Sequence, residues 1–218
     1  MGFVEYLKQI IRELYFKIEN LFRIAYYPNI HPTARIGVNN RINNRKNLFM
    51  GAKSTLKLDS VIMNGRAKFI MKENSGSAEE LMVITGNHMS IVGKNLKQVN
   101  NSEKDTFDIH HEMDRDVVVD EDVWIGARVT LLSGVHVGRG CEIGTGSVLR
   151  TSVPPYAIVV GNPAKIIGFR FTPEEIIEHE KKQYPEDRRL PYDMLVKNYE
   201  KYFLNRIKDI KKYLSITF

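Results

Sequence analysis

Among the side chains suited to acid–base or metal chemistry, this sequence has six histidines and one cysteine. An imidazole ordinarily titrates near neutral pH, so a histidine held in the right place can move protons or bind a metal. His110 and His111 are neighbours whose side chains diverge, and they do not predict a shared metal ion. His88 differs because it lies where a regular segment meets a long polar one. The remaining histidines are predicted to lie on the surface: His31, His136 and His179.

A repeat of six residues would position these groups. It begins at Val119 and continues through consecutive blocks with no insertion or deletion: VDEDVW, IGARVT, LLSGVH, VGRGCE, IGTGSV and LRTSVP. In an α-helix, residues spaced by six would lie on several different faces, and in a strand the side chains alternate between two faces every two residues. Neither element explains a period of six. A three-sided coil explains the repeat, because the first position of each block then points to the axis and stacked coils bury continuous columns. Glycine at the second position suits a corner with unusual backbone angles or close approach.

The same phase extends towards the N-terminus. Ile30, Ile36, Ile42 and Leu48 are spaced by six before the pattern drifts, and we interpret residues 28–85 as coils with irregular corners. Between residues 86 and 116 the pattern gives way to polar residues. A loop of this length inside a compact domain is usually functional. The sequence therefore predicts a coil domain over residues 28–170 with one long excursion loop.

Helices are predicted at both ends. Residues 1–27 form an amphipathic helix with a single apolar seam: Val4, Leu7, Ile11, Leu14, Ile18, Leu21 and Ala25. A membrane-surface helix would have a more uniformly cationic polar face, so this seam favours packing on the protein body or on a neighbouring subunit. Residues 171–218 form a helical extension that buttresses the coil. It opens with a capping box at Thr172 and continues with a second helix over residues 191–214.

Composition limits the partners and the compartment. The net charge of +6 and the pI near 9.3 permit an anionic partner, but the sequence contains no zinc-finger or recognition-helix pattern, so nucleic acid is not expected. A single cysteine, Cys141, excludes an intrachain disulfide and fits a reducing compartment. Charges interrupt the first apolar stretch, and no run is long enough to cross a bilayer. We therefore expect a cytoplasmic protein.

Three motifs carry a resemblance to a known family: Val123–Ala127, Ser152–Tyr156 and Gly161–Lys165. Together with the in-phase blocks, they resemble the hexapeptide-repeat acyltransferases, and within them the xenobiotic and polysaccharide O-acetyltransferases. The resemblance covers roughly residues 28–170. It implies a mainly β fold, a left-handed parallel β-helix with an excursion loop. The handedness comes only from the resemblance, since ordinary parallel crossovers are right-handed.

The resemblance also implies a catalytic residue. In the family, the catalytic histidine lies where the excursion loop leaves the coil, and His88 matches it here, after Val83–Asn87. It would accept the proton of an acceptor hydroxyl or amine that attacks the thioester of acyl-CoA. An inconsequential loop histidine is the alternative. No Ser or Cys lies in a nucleophile elbow, and Cys141 falls in an inward column, so direct attack in a ternary complex is expected.

For the cosubstrate, acetyl-CoA, the family uses a groove between adjacent subunits. The matching positions are Ala127 and Thr145 for backbone contacts, and Arg150 and Lys165 near the nucleotide phosphates. Arg150 stands at a position where members of the family commonly have a smaller residue with a hydroxyl group. Trp124 either lines the groove or closes a coil corner. No metal is expected, since the β-helical carbonic anhydrases would require three correctly spaced histidines.

The resemblance favours transfer of an acetyl group to a sugar hydroxyl of a surface polysaccharide or its precursor, because Phe171–Ile177 is similar to capsular-polysaccharide members. Acetylation of an antibiotic, an amine acceptor and a non-catalytic scaffold remain alternatives. A flat-sided coil and a helix with an apolar seam further predict a homotrimer with sites at the subunit boundaries.

Overall fold

The computed structural model describes residues 7, 8, 11, 14 and 26–215. The described residues form short strands separated by tight corners. In chain order they are β1 (Arg35–Ile36), β2 (Arg41–Ile42), β3 (Leu48–Met50), β4 (Thr55–Leu56), β5 (Val61–Met63), β6 (Phe69–Met71), β7 (Gly76–Ser77), β8 (Met82–Ile84), β9 (Val117–Val119), β10 (Trp124–Ile125), β11 (Thr130–Leu131), β12 (His136–Val137), β13 (Glu142–Ile143), β14 (Val148–Leu149), β15 (Ala157–Val160) and β16 (Lys165–Phe169).

Successive strands pass from one sheet to the next, so that every third strand returns to the same sheet. Sheet 1 has the order β1-β4-β7-β10-β13-β15-β16, sheet 2 the order β14-β11-β8-β5-β2, and sheet 3 the order β12-β9-β6-β3. The pairs between neighbouring turns of the chain are parallel, whereas β16 pairs with β15 in antiparallel fashion. The predicted parallel arrangement of the hexapeptide blocks is confirmed, in three sheets.

The columns predicted from the repeat form the core. All first-position residues are at most 1% exposed: Val119, Ile125, Leu131, Val137, Ile143 and Leu149. The fifth positions are buried as well, and they include Cys141. Burial raises the pKa of the Cys141 thiol to about 12, so this residue is a neutral core side chain at physiological pH.

The glycines at the second position are required by close approach rather than by backbone angle. A Cβ on Gly126 would lie 2.6 Å from the Thr145 nitrogen, and one on Gly138 would lie 2.6 Å from the Pro155 nitrogen. The left-handed residues occupy the fourth position instead, with φ of 58° at Asp122, 57° at Arg128 and positive values at the three glycines that follow in this column.

Four helices are described beyond residue 26: α1 (Asn101–Phe107), α2 (Pro173–Gln183), α3 (Tyr192–Tyr202) and α4 (Ile207–Ser215). Short 3₁₀ turns cover Arg45–Asn47, Leu96–Gln98, Glu186–Arg188 and Leu204–Arg206. The capping box that begins α2 is confirmed, since the Glu175 amide donates to the Thr172 hydroxyl at 3.3 Å and the Thr172 amide donates to the Glu175 carboxylate at 2.8 Å. No helix among these residues is long and apolar enough to cross a membrane.

Two helix predictions meet different outcomes. The single helix predicted over residues 191–214 is wrong, because the backbone leaves the helical region at Phe203, where φ is −123° and ψ is −68°. Most of the helix predicted for residues 1–27 lies outside the described residues. Its described members Leu7, Ile11 and Leu14 are helical and between 47% and 60% exposed.

Candidate active site

His88 lies just beyond a paired stem that fixes the start of the excursion loop. After β8, the Thr85 carbonyl accepts hydrogen bonds from the Arg115 amide and the Ser133 hydroxyl, both at 3.0 Å. Gly86 then forms an antiparallel bridge with Asp114, and the Asn87 amide donates to the Met113 carbonyl at 2.7 Å. The loop therefore leaves and rejoins the coil at one place, and His88 is the first residue past this stem.

A buried lysine from within the loop reinforces the stem. Lys104 in α1 is 9% exposed, and its Nζ donates to the Asn87 carbonyl and to Asp114 Oδ1, both at 2.7 Å. The other Asp114 oxygen lies 3.1 Å from Arg66 Nε, and Arg66 also pairs with Asp105. A buried cation is stable only when its charge is compensated in this way. Lys104 thus ties α1 to the backbone immediately before His88.

The imidazole of His88 borders a cavity of about 250 Å³. The side chain is exposed, and the hydrogen bonds described for the chain include none to its ring nitrogens. Loop residues line the cavity: Gly86, Asn87, Met89, Leu96, Val99, Asn100, Asn101 and Lys104. A ring with a fixed backbone and accessible nitrogens can take a proton from a bound hydroxyl.

The other histidines lie elsewhere. His110 and His111 are exposed near the end of the loop. His31 and His136 are surface residues as predicted, but His179 is half-buried because its ring packs edge-on against Tyr156, with centroids 5.9 Å apart. Across residues 26–215 and the few described before them, no group of three His, Cys, Asp or Glu side chains is close enough to hold a metal ion.

His136 has a structural partner. Its Nε2 lies 2.7 Å from Asp120, and this hydrogen bond raises the pKa of His136 despite partial burial. Burial opposes ionisation of Asp120, but hydrogen bonds from His136 and Lys72 outweigh it and lower the pKa of Asp120. The pairing stabilises the charged forms of both groups.

The five residues that the resemblance assigns to the cosubstrate fall into three places. Ala127 and Thr145 lie at the corner between sheets 1 and 2 on adjacent turns of the coil, where the Gly146 amide donates to the Ala127 carbonyl at 2.9 Å. Trp124 lies on the outer face of sheet 1 and is 54% exposed. Arg150 and Lys165 line one cavity of about 310 Å³.

This last cavity lies on the same corner as the excursion loop. The segments 85–116, 132–135 and 150–152 each connect sheet 2 to sheet 3, and they stack on successive turns. Strands β8 and β14 are two steps apart in sheet 2, which is about 10 Å at the usual strand spacing. His88 and the cavity that contains Arg150 therefore lie along one edge of the coil.

Sequence reasoning missed the contribution of the C-terminal extension to this cavity. Tyr202 at the end of α3 and Arg206 in the following turn line it together with Arg150 and Lys165. Lys165 also lies over the Tyr213 ring, with Nζ 4.5 Å from the centroid. The extension therefore brings a third cation to the cavity besides buttressing the coil.

Comparison with known proteins agrees with the repeat. Residues 116–151 match the family model described as bacterial transferase hexapeptide (six repeats). A chloramphenicol acetyltransferase from Klebsiella aerogenes is 51% identical over 59 residues, which is 27% of this chain and 28% of that enzyme. The matched stretch is thus less than a third of the length of this relative.

Two solved structures share the fold. A maltose O-acetyltransferase from Clostridium difficile 630 gives a TM-score of 0.51 at 25% identity and covers 61% of this chain and 64% of that chain. A hexapeptide-repeat acetyltransferase from Vibrio cholerae O1 biovar eltor, solved with acetyl-CoA, gives a TM-score of 0.51 at 20% identity and covers 64% of this chain and 69% of that chain. The repeat, the parallel sheets and the family match therefore agree that residues 116–151 are a hexapeptide-repeat segment similar to those of bacterial transferases.

Proposed function

We propose that this protein transfers an acetyl group from acetyl-CoA to a sugar hydroxyl of a surface polysaccharide or its precursor, with His88 as general base. The observation that carries the proposal is the single corner that holds both the His88 stem and the cationic cavity of Arg150, Lys165 and Arg206. The named activities of the Klebsiella and Clostridium proteins support acetyl transfer.

The proposed reaction is a direct transfer. His88 takes the proton of the acceptor hydroxyl as its oxygen attacks the thioester carbonyl of acetyl-CoA. The tetrahedral intermediate then collapses, the carbon–sulfur bond breaks, and the leaving thiolate takes the proton back from the imidazolium. The products are an acetyl ester and free CoA. The neutral, buried thiol of Cys141 is unsuited to a covalent intermediate, which supports this order of events.

The proposed cosubstrate contacts come from residues at both corners of sheet 2. Arg150, Lys165 and Arg206 present three cations to the phosphates of CoA, with hydroxyl donors from Thr151 and Ser152 beside them. Ala127 and Thr145 offer backbone groups to the pantetheine amides from the corner between sheets 1 and 2. Trp124 lies on the outer face of sheet 1, near this corner.

We further propose that the three sheets close into a left-handed parallel β-helix and that the protein is a cytoplasmic homotrimer. In a trimer, the two corners of sheet 2 on adjacent subunits would face each other and complete the groove. The exposed seam residues Leu7, Ile11 and Leu14 give the subunits an apolar surface to bury.

Light scattering should report three copies per particle, and a stable monomer that still turns over would contradict the assembly.

The substitution Lys165→Glu should weaken CoA binding by about 1 to 3 kcal/mol, because it replaces attraction to phosphate with repulsion. That is roughly a 5- to 150-fold increase in Kd measured by calorimetry. Lys182→Glu makes the same charge change on an exposed position of α2 and should leave Kd unchanged. Equal CoA affinity in the wild type and the Lys165 variant would remove this residue from the binding site.

One assay tests the activity and its alternatives. Release of free thiol from acetyl-CoA should rise when a suitable sugar is added from a panel, and mass spectrometry should find the acetylated sugar. Thiol release with chloramphenicol but no sugar would favour antibiotic acetylation, a reading supported by the Klebsiella relative. No thiol release with sugars, amines or antibiotics would favour a scaffold and contradict the proposal.

A further inference from the structure

The outer face of sheet 1 carries a straight row of side chains across five turns of the coil. Its register aligns Arg35 with Thr55, Thr55 with Gly76, Gly76 with Trp124 and Trp124 with Glu142. Gly76 leaves a gap in the row, since a Cβ there would lie 3.7 Å from the Trp124 ring and 3.8 Å from the Thr55 Cβ. The indole therefore lies close to the strand at Gly76 while Trp124 stays 54% exposed.

A cleft of about 490 Å³ follows this row, larger than the two cavities described above. Besides the row itself, Lys53 and Lys57 from the corners around β4 line it, as does Arg170. Trp124 is 54% exposed within the cleft and lies in a strand, so it does not close a coil corner. From Arg35 to Trp124 the cleft spans three strand steps, about 14 Å.

The charges in this cleft are unbalanced. The acidic residues are already paired, because Arg170 lies 2.9 Å from Asp122 and 3.3 Å from Glu142. By contrast, none of the ion pairs described for the chain engages Arg35, Lys53 or Lys57. All three are exposed at the end of the cleft away from Arg170. The cleft thus offers an aromatic platform next to three uncompensated positive charges.

We propose that this cleft binds an acidic saccharide chain, with a sugar ring stacked on Trp124 and the anionic groups paired with Arg35, Lys53 and Lys57. The C–H face of a sugar ring is apolar and slightly positive, which suits the negative face of an indole. Three cations spread along the row can pair with successive anionic groups of one chain. This inference rests on the proposed sugar acceptor and adds that the acceptor is anionic.

The cleft is a docking site separate from the chemistry of its own chain. The row from Arg35 to Trp124 lies on strands β1, β4, β7 and β10 of sheet 1, whereas the loop that carries His88 connects sheet 2 to sheet 3. A polysaccharide repeats its acceptor unit, so holding one segment on sheet 1 raises the effective concentration of other segments near a His88 site. We therefore expect the cleft to lower KM for long acidic chains while leaving the kcat for a single sugar unchanged.

Trp124 is the single tryptophan, so the fluorescence of the protein reports on ligands that contact this residue in the cleft. A tetramer of galacturonic acid should change the emission in a saturable way, and the change should weaken strongly in about 1 M salt, where charges are screened. Maltotetraose, a neutral match in length, should produce little change. A second titration uses maltose phosphate, to distinguish recognition of phosphate from recognition of carboxylate. A saturable change in emission with either anionic sugar supports the proposal that the cleft binds an anionic saccharide.

The variant for this test replaces Arg35, Lys53 and Lys57 with glutamine and should raise Kd for the acidic tetramer at least about tenfold, the loss expected when charge-assisted contacts are removed. The matched control replaces three exposed lysines elsewhere, Lys181, Lys182 and Lys197, with glutamine. Any of three results would overturn the proposal. Maltotetraose could bind as tightly as the acidic tetramer, the cleft variant could bind the acidic tetramer as tightly as the wild type does, or CoA could displace the tetramer. His88→Ala should still bind the tetramer, so a failure of acetyl transfer alone would count against the proposed reaction and leave the docking site standing.

Discussion

The substitution His88→Ala should lower turnover by about 10²- to 10⁴-fold, the range expected when a general base is removed. The stem before His88 is held by the Thr85, Gly86 and Asn87 backbone contacts and by the buried Lys104, none of which involves the imidazole. Removal of the ring should therefore spare the fold and the cationic cavity. Steady-state kinetics with a saturating acceptor should show the loss in kcat, and calorimetry should show nearly unchanged CoA binding.

Two matched variants serve as controls for this prediction. His110→Ala and His111→Ala remove the same side chain from the same loop, but neither residue lines the cavity that His88 borders. They should retain most of the wild-type turnover. If His88→Ala also retains most of its turnover at saturating acceptor, the base lies elsewhere, and the assignment of this loop to the active site fails with it.

The coil could be predicted from the sequence because its physical cause is periodic. Each first-position side chain, from Val119 to Leu149, has the same environment in the next turn, so the requirement for an aliphatic residue repeats every six positions. The same argument identified Cys141 as a core residue. The argument did not locate the corner residues with left-handed backbone angles, because it looked for them at glycines of the second position. Positive φ occurs at the fourth position instead, where Asp122 and Arg128 are not glycine.

The parts that the sequence did not predict depend on single long-range contacts. Lys104 belongs to a polar stretch, and only its contacts with Asn87 and Asp114 distinguish it from the solvated lysines around it. Arg206 reaches the cavity of Arg150 and Lys165 only because the chain turns at Phe203, where neither glycine nor proline marks the break. Periodicity carries no information about contacts of this kind.

The C-terminal extension is joined to the coil by a buried ionic cluster. Glu180 in α2 is 0% exposed, and its carboxylate accepts hydrogen bonds from Arg139 at 2.9 Å, from the Tyr156 hydroxyl at 2.7 Å and from the Leu190 amide at 3.1 Å. Burial and the bond to Glu180 together raise the pKa of Tyr156 well above its usual range. The guanidinium of Arg139 also lies 4.0 Å from the Tyr184 ring centroid. A single carboxylate thus satisfies donors from the coil and from the extension.

The substitution Glu180→Ala should destabilise the protein by about 3 kcal/mol, the low end of the cost of breaking a buried ion pair. The low end applies because Arg139 keeps a second carboxylate, Glu121, at 3.3 Å, and the Arg188 carbonyl at 2.8 Å. The loss arises from the charge and the hydroxyl that remain buried without their partner. Urea unfolding followed by circular dichroism should show a lower midpoint with an unchanged slope.

Two further variants make this expectation specific. Glu178→Ala removes a carboxylate from an exposed position of the same helix and should leave the midpoint nearly unchanged. Glu180→Gln keeps one acceptor oxygen, which can serve the Tyr156 hydroxyl or the Leu190 amide but not both, because these donors bind different carboxylate oxygens. It also removes the charge that faces Arg139, so its midpoint should fall between those of the wild type and the alanine variant. If Glu180→Ala unfolds at the same urea concentration as Glu178→Ala, the cluster does not hold the extension to the coil, and the orientation of Arg206 towards the cationic cavity needs another cause.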